Sequence, residues 1–193
     1  MQKLLLIVDL EATCWDGDVP WENRRQTVDD MEVIEFGCVV ATFDGVVIDS
    51  KSFLVRPVLH PSLSTFCTQL TSIKQQDVDS APLYGDVSQQ IDQWLEQYEL
   101  VCWGSWGYYD KNQLLAERVR HDCAPAFLDL EHVNLKTVWR EGRASNRRSG
   151  LTHALSFHNL EFAGTYHRGI DDALNIARLL TFINLDLRDN QPH

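Results

Sequence analysis

Runs of apolar residues open the chain and predict β-strands before any helix. Residues 3–10 are apolar on both faces of an extended segment, which predicts a central strand covered on both sides. Residues 33–43 and 46–55 predict two more strands, and Asp44-Gly45 between them is a hairpin turn signal. These three strands predict an antiparallel meander.

Helical periodicity dominates the rest of the chain. The predicted helices cover residues 62–66, 83–98, 110–121, 135–141, 151–158 and 170–185. Short apolar segments at residues 100–103 and 127–130 are predicted to be strands. Early strands followed by strands that alternate with helices predict an α/β fold, in which one mixed β-sheet lies between layers of α-helices.

Length and composition predict one domain. A chain of 193 residues with 44% hydrophobic content can bury one substantial core, and no linker or repeat divides it. We therefore expect a single domain over residues 1–185 and a short C-terminal tail over residues 186–193. The N-terminal apolar run lacks the basic flank of a signal peptide, and no stretch has the length of a membrane span. These features predict a cytoplasmic protein without membrane contact.

The charge distribution limits the kinds of nucleic-acid contact that the chain can make. A net charge of −11 argues against a protein that coats long nucleic acid through a basic surface. Residues 136–148 nevertheless hold five bases against one acid. This local basic patch has two interpretations, a solvated surface or a phosphate-binding site, and the charge pattern alone favours neither.

Two carboxylates end the first predicted strand. Asp9 and Glu11 alternate with Leu10, so they point to the same face of the strand. Like charges side by side on a covered strand are unfavourable unless a cation neutralises them, and a divalent metal with oxygen ligands fits. The pair alone is a weak signal, because a strand that runs into a solvated acidic loop would look the same.

The last predicted helix adds a third acid. At about 100° per residue, its apolar residues cluster on one face, with Asp172 at the edge of that face and Asp171 almost opposite. Asp172 is therefore predicted to face inward, either as a ligand or as an acid that stabilises the helix N-terminus. His167 precedes the helix, and we expect Gly169 to allow the turn that brings His167 over the same pocket. Histidine side chains titrate near neutrality, which suits a general base.

Asp110 opens another predicted helix, where an acid is commonly an N-cap. Together, however, Asp9, Glu11, Asp110, Asp172 and His167 resemble the DEDDh group of 3′-5′ exonucleases, which have a ribonuclease H-like fold. The segments that carry the resemblance are Asp9-Leu10-Glu11-Ala12-Thr13-Cys14, Trp106-Gly107-Tyr108-Tyr109-Asp110 and His167-Arg168-Gly169-Ile170-Asp171-Asp172-Ala173. Residues 66–73 and 32–37 are similar to the Eri-type branch, which trims RNA 3′ ends, although Ser72 stands where that branch commonly has glycine.

The resemblance implies an activity and a set of roles. The implied reaction is hydrolysis of the terminal phosphodiester of single-stranded or 3′-overhang RNA, with release of nucleoside 5′-monophosphates. It implies two divalent cations, Mg²⁺ or Mn²⁺, with Asp9 bridging both ions, Glu11 and Asp172 at the first and Asp110 at the second. His167 is then the general base.

The resemblance also implies contacts with the nucleic acid 3′ end. Its residue set comprises Phe66, Leu70, Thr71 and Tyr109 near the terminal bases and Arg147 with Arg148 near the backbone. Core packing is the alternative for Phe66 and Leu70. Two other functions stay open from sequence alone: a 3′-5′ exonuclease of DNA, and a non-catalytic module that binds nucleic acid through the same fold.

Overall fold

The computed structural model describes residues 3–141 and 150–185. Its strands are Leu4–Ala12 (β1), Val33–Thr42 (β2), Val47–Leu54 (β3), Leu100–Ser105 (β4) and His132–Asn134 (β5). Its helices are Thr65–Thr71 (α1), Gln75–Asp79 (α2), Tyr84–Leu95 (α3), Tyr109–His121 (α4), Leu135–Arg140 (α5), Leu151–Phe157 (α6) and Gly169–Leu179 (α7). The predicted tail at residues 186–193 lies outside the described residues, and the division into domains stays a prediction.

The strands of the described residues form one mixed sheet in the order β3-β2-β1-β4-β5. The first three strands pair antiparallel, whereas β4 runs parallel to β1 and β5 runs parallel to β4. The mixed sheet predicted from the sequence, an antiparallel meander with parallel strands between helices, is therefore confirmed. Because β1 and β4 are parallel neighbours, the residues that follow their carboxyl ends lie at the same edge of the sheet.

Helices cover both faces of β1. Leu5 and Ile7 pack with Ile176 of α7 on one face, while Leu6 and Val8 pack on the other face with residues of α3 and α4. All four of these β1 residues are fully buried, as the continuous apolar run predicts for a central strand. Asp9 and Glu11 continue the alternation of Leu5 and Ile7, so β1 directs both acids to the face that α7 covers.

Several predicted elements differ from the structure. The segment at residues 127–130 is not a strand: Ala126–Asp129 is a short 3-10 helix, and the strand is His132–Asn134. Short apolar runs carry no periodicity that separates these two states. The final helix ends at Leu179 and continues only as a 3-10 turn over Leu180–Phe182, which is shorter than the predicted range of 170–185.

The segment between β3 and α3 also differs from its prediction. The predicted helix at residues 62–66 lies later, over Thr65–Thr71, because the Ser64 side chain caps it by accepting a hydrogen bond from the Cys67 amide at 2.9 Å. The short helix α2 was not predicted. Among the helices in the described ranges, none has both the length and the apolar character needed to span a membrane.

Candidate active site

Three carboxylates from two elements meet at the carboxyl end of β1. Asp9 and Glu11 come from β1, and Asp172 comes from the first turn of α7. One oxygen of each carboxylate lies within 4.8 Å of the other two. The inward direction of Asp172 that its helical phase predicts is therefore observed.

Close backbone contacts bring α7 to this position. Gly37 of β2 pairs with Asp9, and a Cβ atom added at Gly37 would lie 1.9 Å from the carbonyl carbon of Gly169. A Cβ atom added at Gly169 would lie 2.7 Å from the carbonyl oxygen of Asp9. Both positions therefore require glycine, because any side chain would push the helix away from the sheet.

This geometry corrects the explanation of how His167 reaches the site. The turn does not use the conformational freedom of Gly169, which is a first-turn residue of α7 and serves close packing. His167 makes the turn itself, with a φ of 58° in the left-handed region. It is exposed just before α7 and lines the same pocket as Asp9 and Asp172.

Asp110 reaches the pocket from α4, which follows β4, the strand next to β1 on the edge opposite β2. It lies in the first turn of α4, is only 5% exposed, and accepts a hydrogen bond from the Leu10 amide at 3.0 Å. Tyr108, rather than Asp110, is the N-cap residue of α4. Asp110 lines the same pocket as the three clustered carboxylates, although its oxygens are not part of their group.

Burial and mutual repulsion raise the pKa values of the acids. Desolvation, followed by the charges of Asp172 and Glu35, raises the pKa of Glu11 to about 9. Desolvation also raises the pKa of Asp9 well above its usual range, with the charges of Asp110 and Asp172 adding to the effect. Burial raises the pKa of Asp110 and that of Asp172 to about 6 each. Without a cation, these groups would hold protons at pH values where ordinary carboxyl groups are ionised.

The donor set fits divalent cations. Carboxylate oxygens are the ligands that hard cations such as Mg²⁺ and Mn²⁺ prefer. Asp172 Oδ2 is buried and has no hydrogen-bond partner among the described residues, so this oxygen remains available as a ligand. A cation would satisfy this atom and offset the repulsion that raises the pKa values.

The pocket has apolar walls beside the acids. Its volume is about 340 Å³, and it is lined by the predicted residues Leu70 and Tyr109 and also by Trp106 and Leu151. The sequence predicted no contact with substrate for Trp106 or Leu151. An apolar wall next to a cluster of acids is suited to a nucleotide, whose base stacks while its phosphate meets cations.

Phe66 and Thr71, two other predicted substrate contacts, do not line the pocket. Phe66 lies one helical turn before Leu70 on α1 and is half-buried, but it does not line the pocket. Thr71 is fully buried, and its hydroxyl donates to the Cys67 carbonyl at 2.9 Å, so its side chain does not face the pocket. Arg147 and Arg148 lie outside the described residues.

One acid next to the cluster was not among the predicted site residues. Glu35 of β2 pairs directly with Glu11 of β1 and is fully buried. Residues opposite each other in an antiparallel pair share a face, so the register would have identified Glu35. The sequence alone does not contain that register, since it depends on how two distant segments align.

Comparison with known proteins gives consistent matches. The sequence family described as Exonuclease matches residues 6–180. The 3′-5′ exonuclease eri1 of Schizosaccharomyces pombe is 30% identical over 214 aligned residues, which cover 92% of this chain and 67% of that protein. ERI1 exoribonuclease 3 of Homo sapiens is 30% identical over 183 aligned residues, which cover 91% of this chain and 52% of that protein. This chain thus spans about half the length of its human relative.

A solved structure extends the likeness to the fold. The nuclease domain of 3′hExo, a DEDDh family member, bound to rAMP, matches with a TM-score of 0.81 and 25% sequence identity. The match covers 98% of this chain and 94% of that one.

Proposed function

Because this chain belongs to the exonuclease family, we propose that it is a 3′-5′ exonuclease that shortens RNA from single-stranded or overhanging 3′ ends. The observation that carries the proposal is the cluster of Asp9, Glu11 and Asp172, whose oxygens lie within 4.8 Å of one another. Divalent-cation dependence is a property of DEDDh exonucleases, and this cluster supplies ligands for it. The expected products are nucleoside 5′-monophosphates.

The positions of the four acids suit two cations, with Asp9 shared between them. Asp9, Glu11 and Asp172 would hold one Mg²⁺ or Mn²⁺ ion, and Asp9 with Asp110 would hold a second. When bound, the cations would polarise the scissile phosphate and stabilise charge on the departing 3′-oxygen. The hydrogen bond from the Leu10 amide to Oδ1 fixes the orientation of Asp110.

The remaining residues of the pocket handle the proton and the nucleotide. His167 would accept the proton of the attacking water at a ring nitrogen, because it stands at the pocket rim within the loop before α7. Leu70 and Tyr109 would contact the terminal base, with Trp106 and Leu151 completing the apolar wall. We extend the proposal to Phe66 as a further contact near the terminal bases and to Arg147 and Arg148 as contacts with the nucleic-acid backbone. Thr71 would act indirectly, by packing α1 in place.

RNA is the favoured substrate for two reasons. Residues 66–73 are similar to the Eri-type segment beside the terminal nucleotide. The human relative is an exoribonuclease by name, and the matching nuclease domain holds a ribonucleotide monophosphate. A DNA exonuclease would use the same acids, so substrate class has to be decided by experiment.

The test is a time course on 5′-labelled RNA and DNA of the same sequence, each single-stranded or with a 3′ overhang. We expect Mg²⁺- or Mn²⁺-dependent shortening of RNA from the 3′ end, inhibition by EDTA, and no activity for Asp9→Ala. Faster degradation of DNA would overturn the substrate class. Metal-independent cleavage or attack from the 5′ end would overturn the mechanism, and tight binding without cleavage would identify a non-catalytic module.

A further inference from the structure

Glu35 is a buried acid beside the cluster that the proposed reaction does not use. It is fully buried on β2, directly opposite Glu11 on β1. Like charges facing each other across two strands are destabilising unless one of them is paired. The partners of Glu35 show how its charge is compensated.

Glu35 accepts hydrogen bonds from three residues. Arg168 donates from Nε to Oε2 and from Nη2 to Oε1, both at 3.1 Å. The Gly169 amide donates to Oε2 at 3.0 Å, and the Ser52 hydroxyl donates to Oε1 at 2.6 Å. A two-point contact with an arginine is strong and directional, so both carboxylate oxygens are held by these donors. Glu35 therefore cannot turn toward a cation without losing these bonds.

Two of these three donors, Arg168 and Gly169, belong to the segment that carries His167 and Asp172. Arg168 follows His167 directly, and its carbonyl accepts the amide of Asp172 at 2.9 Å. His167 has a φ of 58°, in the left-handed region, which steric repulsion makes unfavourable for residues other than glycine. The attachment of Arg168 and Gly169 to β2 is a tertiary contact that holds the loop in this conformation.

We propose that Glu35 and Arg168 form a positioning pair, which holds His167 and Asp172 in place over Asp9 and Glu11. Neither residue touches the substrate. The pair connects the strand that faces Glu11 to the turn before α7, so it sets the distance between the proton acceptor and the acids. This inference rests on the proposed function.

The variants that test the pair are Glu35→Gln, Arg168→Gln and the milder Arg168→Lys. The matched control is Arg178→Gln, since Arg178 is also on α7 and donates hydrogen bonds to the Glu161 carbonyl and to Asn175, away from the pocket. Each variant is measured at a temperature where its near-UV circular dichroism shows a folded protein. The readouts are kcat and KM on 3′-overhang RNA and, separately, Mn²⁺ affinity by calorimetry without substrate.

We expect Glu35→Gln and Arg168→Gln to lower kcat by about 10- to 100-fold with little change in KM, the effect typical of residues that orient metal ligands. Arg168→Lys should recover part of kcat, and Arg178→Gln should leave it unchanged. Mn²⁺ binding should weaken in both Glu35→Gln and Arg168→Gln, because both release Asp172. If Glu35 and Arg168 act only through their charges, Glu35→Gln and Arg168→Gln will shift Mn²⁺ affinity in opposite directions. That result would overturn the proposal that they form a positioning pair.

The two proposals fail in different ways. A wild-type protein without exonuclease activity overturns the proposed function, while the Mn²⁺ titration still tests the pair. An active wild type whose Glu35→Gln and Arg168→Gln variants keep full kcat and Mn²⁺ affinity overturns only the pair.

Discussion

Asp171 and Asp172 are neighbours of the same chemical type, yet the fold uses them differently. Asp172 points into the pocket with a buried oxygen that lacks a partner among the described residues. Asp171 accepts a hydrogen bond from the Thr165 amide at 2.8 Å and so closes the loop before α7. The difference follows from helical geometry, because adjacent residues on a helix point about 100° apart.

This pair of neighbours provides a matched test. Asp172→Asn should abolish exonuclease activity and weaken Mn²⁺ binding, since an amide oxygen is a poorer ligand than a carboxylate. Asp171→Asn should keep activity near that of the wild type, because an amide oxygen can still accept the Thr165 hydrogen bond. Both variants lose one negative charge, so activity assays and calorimetry separate ligation from overall charge. Equal losses in both variants would contradict the assignment.

At the level of elements, the site depends on how closely α7 packs against β1 and β2. The contact lies between Gly37 and Gly169, where two backbones meet without side chains. Because Asp172 lies in the first turn of α7, any separation at this contact moves its carboxylate away from Asp9 and Glu11.

We therefore expect Gly37→Ala to destabilise the fold by about 3 kcal/mol or more, at the upper end of overpacking effects, because its Cβ would lie 1.9 Å from a backbone atom. The control is Gly85→Ala on α3, whose Cβ would meet only Cys123 Sγ at 3.6 Å. That substitution should be neutral or stabilise by about 0.5–1 kcal/mol, since alanine favours helix. Urea denaturation of the two variants measures the difference, and similar stabilities would contradict the packing argument.

Over the whole molecule, the fold assembles acids that oppose its own stability. The mixed sheet places the carboxyl ends of β1 and β4 together, so Asp110, which follows β4, reaches Asp9 and Glu11. The resemblance to the DEDDh exonucleases, with their ribonuclease H-like fold, is confirmed by the family match and by the structural match. Stability given up at such a site is the usual consequence of function.

The metal-free protein should lose stability as the pH rises. Glu11 has a pKa raised from 4.5 to about 9, so between these values the folded state holds a proton that the unfolded state has released. Glu11 therefore lowers the stability of the folded state once the pH exceeds its pKa in the unfolded state. This loss of stability increases until the pH passes its pKa in the folded state. The raised pKa values of Asp110 and Asp172 also lower stability as the pH rises from 3.8 to about 6.

Thermal unfolding in EDTA should accordingly show a melting temperature that falls by several degrees between about pH 5 and pH 9. Mg²⁺ or Mn²⁺ should reverse most of the fall, because a ligand that binds the folded state stabilises it. Glu11→Gln separates the effect of this one acid from that of the net charge of −11, which it hardly changes. The melting temperature of this variant should depend less on pH. A melting temperature that rises with pH in EDTA would contradict the assignment of raised pKa values.

Local periodicity was sufficient to predict the direction of three of the acids in this site. Strand alternation placed Asp9 and Glu11 on one face, and helical phase turned Asp172 inward, because these directions depend only on consecutive residues. Resemblance to the DEDDh motifs added the role of Asp110, whereas His167 was predicted from its place just before the last helix, although His167 rather than Gly169 makes the turn. The same local reasoning failed at residues 127–130, where a short apolar run fits a strand and a 3-10 turn equally well.

Contacts between distant segments were decided by the tertiary structure. Glu35 meets Gly169 across 134 positions of sequence, and Gly37 meets the same residue through backbone atoms that no side-chain pattern reveals. Residue order therefore carries the identity of the acids and the direction of each side chain within its own element. The register between β1 and β2 sets Gly37 opposite Asp9, and the close approach of α7 at that point brings Asp172 within 4.8 Å of Asp9 and Glu11. Residue order does not reveal these two features, because both arise from packing between elements.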